Sequence, residues 1–390
     1  MTFSTRTEWD SRPSPLFSMV NAMRDAGKSI IDLTETNPTT CGFVAAPQDL
    51  LSPPTLQSSQ RYEPDPKGIL QARRALAGWY ENQNLNIDPS AVILASGTSE
   101  AYSFIFRLLC NPSDSIAVPK PGYPLFEFLA DLNDVACRQY RLVYDGEWRI
   151  DWPSLEAAVA EDTRALIVVH PGNPTGGFIK TDDAERLLGF LGERGIALIA
   201  DEVFGSFAFD ADSRRHGSFA RTGEILTFTL NGLSKFAALP QMKLSWIVVS
   251  GPAALRTEAC KRLEIIADTF LSVNTPVQHE LTHLLKRGSS TAAHILDRVR
   301  KNYSMLRQSF SPPVPASVFS CEGGWSALCR LPSVRSDVEW AMRFLGERGV
   351  LVHPGQLFDC DIPSCIVVSL LPEPAVFAEG IQNLMRELRG

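Results

Sequence analysis

The chain has 390 residues, 44% hydrophobic and 21% charged, enough for two domains or for one large and one small, each with a core. A net charge of −7 supplies no broad positive field, which argues against nucleic acid or an anionic membrane surface as a partner. The eight cysteines lack CxxC spacing and read as thiols in a reducing cytoplasm, not as a disulfide or zinc framework, so no metal site is expected.

In chain order, Met1 to Trp9 lacks the apolar stretch of a signal peptide. No run reaches the ~18 apolar residues of a membrane span, so a cytoplasmic protein is expected. From Ala91 to Ser250, short β-branched runs alternate with helical segments: Ala91–Ala95, Ser115–Val118, Ala165–Val169, Ile196–Ala200, Ile225–Leu230 and Trp246–Ser250. Runs that are apolar throughout belong to strands covered on both faces, which predicts an α/β fold with a mostly parallel central sheet wrapped by helices. After Leu255, Arg256, Glu258, Lys261, Arg262 and Glu264 stand at helical spacing. Gly323–Leu331 and Cys365–Leu371 then read as strands of a smaller α+β domain. The chain ends are expected to fold together, with residues 1–48 an arm and part of the small domain, 49–285 the large domain, and 286–390 the rest of the small one. Pro- and Gly-rich pieces at 37–42, 64–68 and 119–124 read as loops at element ends, where ligands bind in open α/β sheets.

The chemistry concentrates in three places. His170-Pro-Gly-Asn173-Pro174-Thr175-Gly176 ends one apolar run, Asp201-Glu202-Val203-Phe204 ends the next, and Lys235 follows in Leu230-Asn-Gly-Leu-Ser234-Lys235. An asparagine, an aspartate and a lysine able to form a Schiff base, at the ends of successive parallel strands, are what pyridoxal phosphate chemistry needs. Upstream, the strand at Ala91–Ala95 runs through Ser96-Gly97 into a helix from about Thr98. There glycine lets the backbone approach a ligand, and free amides with the positive dipole end suit an anion.

This ordered set, from about Asp32 to Ser369, resembles the class I/II aminotransferases, fold-type I pyridoxal phosphate enzymes of the aspartate aminotransferase kind. The resemblance implies pyridoxal 5'-phosphate as cofactor and Lys235 as its Schiff-base residue and the base that moves the substrate proton. It also implies Asp201 against the pyridine nitrogen, Asn173 on the phenolic oxygen and Tyr123 stacked on the ring. Gly97, Thr98, Ser99, Ser234 and Lys243 fall at phosphate positions. Tyr62, in Tyr62-Glu-Pro-Asp-Pro-Lys-Gly68, matches a tyrosine that family members reach across to the partner subunit's phosphate, which implies a homodimer. Thr36 and Asn37 fall near the substrate.

Several positions depart from the family pattern. Val367 stands where the family usually has the arginine that grips the substrate α-carboxylate, and a valine cannot make that bidentate pair. Phe204 replaces a tyrosine, Gly232 a phosphate-binding Ser or Thr, and Lys243 an arginine, keeping the charge but losing the fork. Arg330 and Lys67 are candidate substitute cations. The resemblance implies ping-pong transfer of an amino group between an amino acid or amine and a 2-oxo acid, with atypical carboxylate recognition. Other reactions on the same scaffold (β-elimination, decarboxylation, racemisation) and a non-catalytic binding protein remain open alternatives, because the shared residues specify the electron sink and not which bond breaks.

Overall fold

The structure, a computed structural model, describes residues 2–389. Its strands are β1 (Ile31–Asp32), β2 (Val92–Ala95), β3 (Ser115–Lys120), β4 (Ala136–Tyr144), β5 (Trp148–Ile150), β6 (Thr163–Val169) and β7 (Ala197–Asp201). They continue with β8 (Thr227–Gly232), β9 (Ser245–Ser250), β10 (Ser317–Val318), β11 (Ser326–Arg330), β12 (Val350–Leu351), β13 (His353–Pro354) and β14 (Cys365–Ser369).

An eight-stranded sheet in the order β2-β9-β8-β7-β6-β3-β4-β5 forms the large body. The pairs β8·β7, β7·β6, β6·β3 and β3·β4 are parallel, whereas β9 runs against both its neighbours and β5 against β4. The apolar runs explain this burial. Side chains alternate across each strand, so Ile167 and Ile199 face one helical layer and Leu166 and Leu198 the other. The first layer contains the helices Thr98–Leu109 and Ala253–Phe270, and the second contains Trp152–Ala158 and Thr181–Arg194. β4 and β5 are not among the strands expected from apolar runs. β4 lies near the sheet edge, and most of its side chains alternate between exposed and half-buried, so it carries no continuous apolar run.

The chain ends meet as expected. Ile31 pairs with Val350 and Asp32 with Leu351, so the N-terminal segment joins the C-terminal one through a two-stranded parallel pair. A four-stranded sheet, β10-β11-β14-β13, completes the smaller body. A 35-residue helix, Thr275–Ser309, runs through the expected boundary at 285 and packs against both bodies. The parallel strands of the large sheet all end on one edge, and the antiparallel β9 begins there, so one rim gathers Ala95, Val169, Asp201, Gly232 and Ser245.

Candidate active site

Strand alternation decides where the two adjacent carboxylates at the end of β7 point. Ala197 and Ile199 face the layer holding helix Thr98–Leu109, so Asp201 faces it too, and Glu202 faces the opposite layer with Leu198 and Ala200. Asp201 accepts a hydrogen bond from the buried Tyr102 hydroxyl at 2.8 Å and from the Val203 amide at 3.1 Å. Burial raises its pKa, while these donors and the Lys235 charge work in the other direction. Glu202 accepts from the Ser218 hydroxyl and the Phe219 amide, each at 2.7 Å, and burial pushes it up to about 7. Glu202 therefore anchors a loop beneath the sheet, and Asp201 is the carboxylate aimed at the rim. No motif marked Tyr102. The only available signal is that it lies within the second turn of the helix whose N-terminus faces the rim.

Lys235 lies in the short helix Leu233–Phe236 just after β8. Burial lowers its pKa and the Asp201 charge raises it, so a larger share of the amine is neutral, and hence nucleophilic, than in water. Its Nζ lies 5.1 Å from the centre of the Trp325 ring and 5.7 Å from that of Phe204, and the two rings meet edge to face at 5.5 Å. Trp325 comes from the smaller body and was not anticipated from the sequence. Upstream, His170 receives the Ile179 amide on Nδ1 at 3.2 Å, which leaves Nε2 to donate to the His216 carbonyl at 3.1 Å. Burial pushes this histidine down to about 3, so it stays neutral and fixes the loop that carries Asn173.

A cavity of about 240 Å³ opens at the rim, lined by Thr36, Thr98, Tyr123, Val169, Asn173, Asp201, Val203, Phe204, Gly232, Ser234, Lys235, Ser245 and Ser326. It joins candidates drawn from most of the chain. Helix Thr98–Leu109 starts here with Gly97 in extended backbone as its N-cap, leaving free amides at its first turn. Lys243, in a left-handed conformation at φ 52°, brings its Nζ to 3.7 Å from where a Cβ on Gly97 would stand. A helix N-terminus with an ammonium beside it and hydroxyls from Thr98 and Ser234 is suited to a phosphate. Ser99 follows in the first turn without lining the cavity.

The other expected residues divide. Thr36 lines the cavity, because the Ser369 hydroxyl donates to the Glu35 carbonyl at 2.6 Å and holds the loop against β14. Asn37 is exposed and off the lining; its side chain accepts from the Thr39 amide at 3.1 Å and hydroxyl at 2.8 Å, closing a turn. Val367 is 1% exposed and packs with Trp148, Phe319, Leu328 and Phe358. Its strand neighbour Leu328 stands two residues along from Ser326, so an apolar cluster adjoins the cavity at the place where the resemblance puts a cation. Arg330, at the far end of β11 from Ser326, lies roughly 13 Å along the strand. Lys67 pairs with Glu264 at 3.3 Å. Among the described residues lining the cavity, Lys235 is the one cation. Tyr62 is 68% exposed and lies in a separate groove with Pro64, Asp65 and Leu271, away from its own chain's cavity.

The fold and the rim together define an α/β enzyme that brings a half-buried amine, an oriented carboxylate and an anion-binding helix end to one cavity. Residues 33–384 match the family of class I and II aminotransferases. The chain belongs to that family and is an aminotransferase, an enzyme that transfers nitrogenous groups. Glutamate-pyruvate aminotransferase AlaA of Haemophilus influenzae is 25% identical over 390 residues, covering 96% of this chain and 94% of its own. Human tyrosine aminotransferase is 25% identical over 391 residues, covering 94% and 85%. Among solved structures, alanine aminotransferase from Pyrococcus furiosus superposes with a TM-score of 0.89 at 20% identity, covering 100% of both chains, which supports the fold.

Proposed function

We propose that this aminotransferase works with pyridoxal 5'-phosphate at the rim cavity, moving an amino group by a ping-pong route between an amino acid or amine and a 2-oxo acid. The observation that carries the reading is the convergence of Lys235, Asp201 with its Tyr102 donor, Asn173 and the Lys243-flanked helix start on one cavity. The residues fit the cofactor: a buried carboxylate for the ring nitrogen, an amide for the phenolic oxygen, an aromatic face in Tyr123 and an anion cradle for the phosphate. When bound, the cofactor supplies an electron sink for the pair released at the substrate Cα.

The rest of the work belongs to the chain. Lys235 is the residue that would hold the cofactor covalently and then carry the Cα proton, a task suited to an amine whose pKa burial has lowered. Asp201 would hold a proton on the ring nitrogen, and Tyr102 fixes its orientation. Phe204 and Trp325 flank the lysine with aromatic rings. Among the described residues, Val367 and its apolar neighbours put no cation at that place, so the donor is an amine, or an amino acid whose carboxylate is held in another way than by an arginine at that position. We propose further that the working unit is a cytoplasmic homodimer in which Tyr62, exposed on its own chain, serves the partner's site. The reading also keeps the division into 1–48, 49–285 and 286–390.

Borohydride reduction of the purified protein followed by peptide mapping tests the assignment: the adduct is expected on Lys235, and an adduct on another lysine overturns it. Light scattering should report a dimer at working concentration, and Tyr62→Phe should weaken cofactor retention without loss of fold.

A further inference from the structure

We propose that Ser245 supplies the hydroxyl that holds the cofactor's phosphate, from the strand opposite Gly232, where the resemblance leads one to expect a Ser or Thr; this rests on the reading of the cavity given above. Ser245 is the first residue of β9 and pairs across the sheet with Ala95 on one side and Gly232 on the other. Those two neighbours lead directly into the helix start at Thr98 and into Ser234-Lys235, the two turns that form the anion cradle. Ile247 and Val249 face the layer of helix Thr98–Leu109, so strand alternation points the Ser245 side chain the same way.

The glycine opposite explains why the hydroxyl sits on this strand. Gly232 has φ −175°, extended backbone that any residue adopts, so conformation does not demand a glycine there. Space does: a Cβ at 232 would stand 2.3 Å from the Ser245 Oγ and 3.2 Å from the Leu244 carbonyl oxygen. One hydroxyl fits in the volume shared by the two strands, and in this chain it comes from β9. Ser245 is 2% exposed, lines the cavity, and its Oγ has no hydrogen-bond partner among the described residues. The hydroxyl lines the cavity with its proton free to donate, and a phosphate beside the Thr98 helix start and Lys243 would accept it. The strained left-handed backbone of Lys243, two residues earlier, aims its ammonium into the same corner.

The test compares pyridoxal 5'-phosphate with pyridoxal, which lacks the phosphate, by absorbance titration of the full chain freed of cofactor. Ser245→Ala should raise the dissociation constant for pyridoxal 5'-phosphate roughly ten- to hundredfold and leave that for pyridoxal within about twofold. The paired change G232S/S245G, which moves the hydroxyl to the other strand and relieves the clash, should return the value for pyridoxal 5'-phosphate to within about threefold of wild type. Unchanged affinity in Ser245→Ala, or an equal loss for both probes, overturns the proposal. If the wild type carries no borohydride adduct on Lys235, the reading of the cavity has failed. If it does and Ser245→Ala binds like wild type, only the role of Ser245 has failed.

Discussion

The two sides of the cavity are built in different ways. The large-domain side hangs from strand ends whose neighbours are almost all buried: Asp201 ends β7 and Ser245 opens β9, each with a register fixed by paired backbone, and Lys235 stands three residues past the end of β8. The small-domain side comes from the loop after Leu33, which the Ser369 amide and hydroxyl hold at the Leu33 and Glu35 carbonyls, from Ser326, and from an apolar cluster around Val367 where a carboxylate-binding cation was to be looked for. On the proposed reading, the sheet ends position the groups that run the chemistry, while the side that would meet the substrate is free to change its residues without disturbing them.

The largest test removes the centre of the first side. Lys235→Ala should lower turnover by about 10⁴-fold or more, measured in steady state with saturating cofactor, while circular dichroism reports an unchanged fold. Near-normal turnover would mean that the sheet-end constellation is not the reacting centre. The second concerns the other side. With no cation among the described residues lining it beyond Lys235, the wild type should transaminate aspartate and glutamate roughly a thousandfold more slowly than its own best donor, because an unpaired desolvated carboxylate costs several kcal/mol. A donor panel followed by formation of the pyridoxamine form measures this, and brisk turnover of glutamate would show that the apolar cluster does not decide recognition. Since the similar AlaA of Haemophilus influenzae is a glutamate-pyruvate enzyme, this contrast is informative.

A third test concerns how firmly the sheet end is held. His170 is buried neutral with its pKa pushed down to about 3 from 6.5, so between those values the unfolded chain binds a proton that the folded chain does not. Stability therefore falls as pH drops from about 6.5 towards 3, by a few kcal/mol from this group. The advantage of wild type over His170→Gln, read from denaturant midpoints, should be fully present at pH 7 and should shrink across that window; a gap independent of pH would refute the assignment. The smallest effect is at Tyr102. Tyr102→Phe removes one donor to a carboxylate, a change of about 1.5–3 kcal/mol, and should appear as a lower kcat with a raised pKa in the spectrum of the bound cofactor, because Asp201 is then less firmly held as an anion.

The groups that the sequence announces share a property: they sit within a few residues of an apolar strand, so the strand pattern and the motif locate them together. Asp201, Asn173, Lys235 and Thr98 are of this kind, and all four line the cavity. Tyr102, Trp325 and Ser245 are not announced in this way: the last two also adjoin strands, but no motif marks them and their roles rest on distant partners. Tyr102 reaches Asp201 across 99 positions of chain, and Trp325 arrives from the small body against a lysine of the large one. Ser245 matters through a glycine on the neighbouring strand. Asn37 is the converse case: beside Thr36 in sequence, it stands off the cavity lining with its amide oxygen used to close a turn.

By itself the sequence determined the covered parallel strands, the order of their motifs, the meeting of the chain ends and the family to which these belong. The strands and the order of the motifs follow from local periodicity and from residue types at strand ends, while the family, and with it the meeting of the chain ends, rests on the resemblance those motifs carry. Only the tertiary structure decided which face each rim residue presents, which distant side chains orient Asp201 and enclose Lys235, and that apolar packing surrounds Val367. The reason is geometric: a side chain's partners are set by strand register and by the docking of one body on the other, and neither is written in the spacing of a single segment.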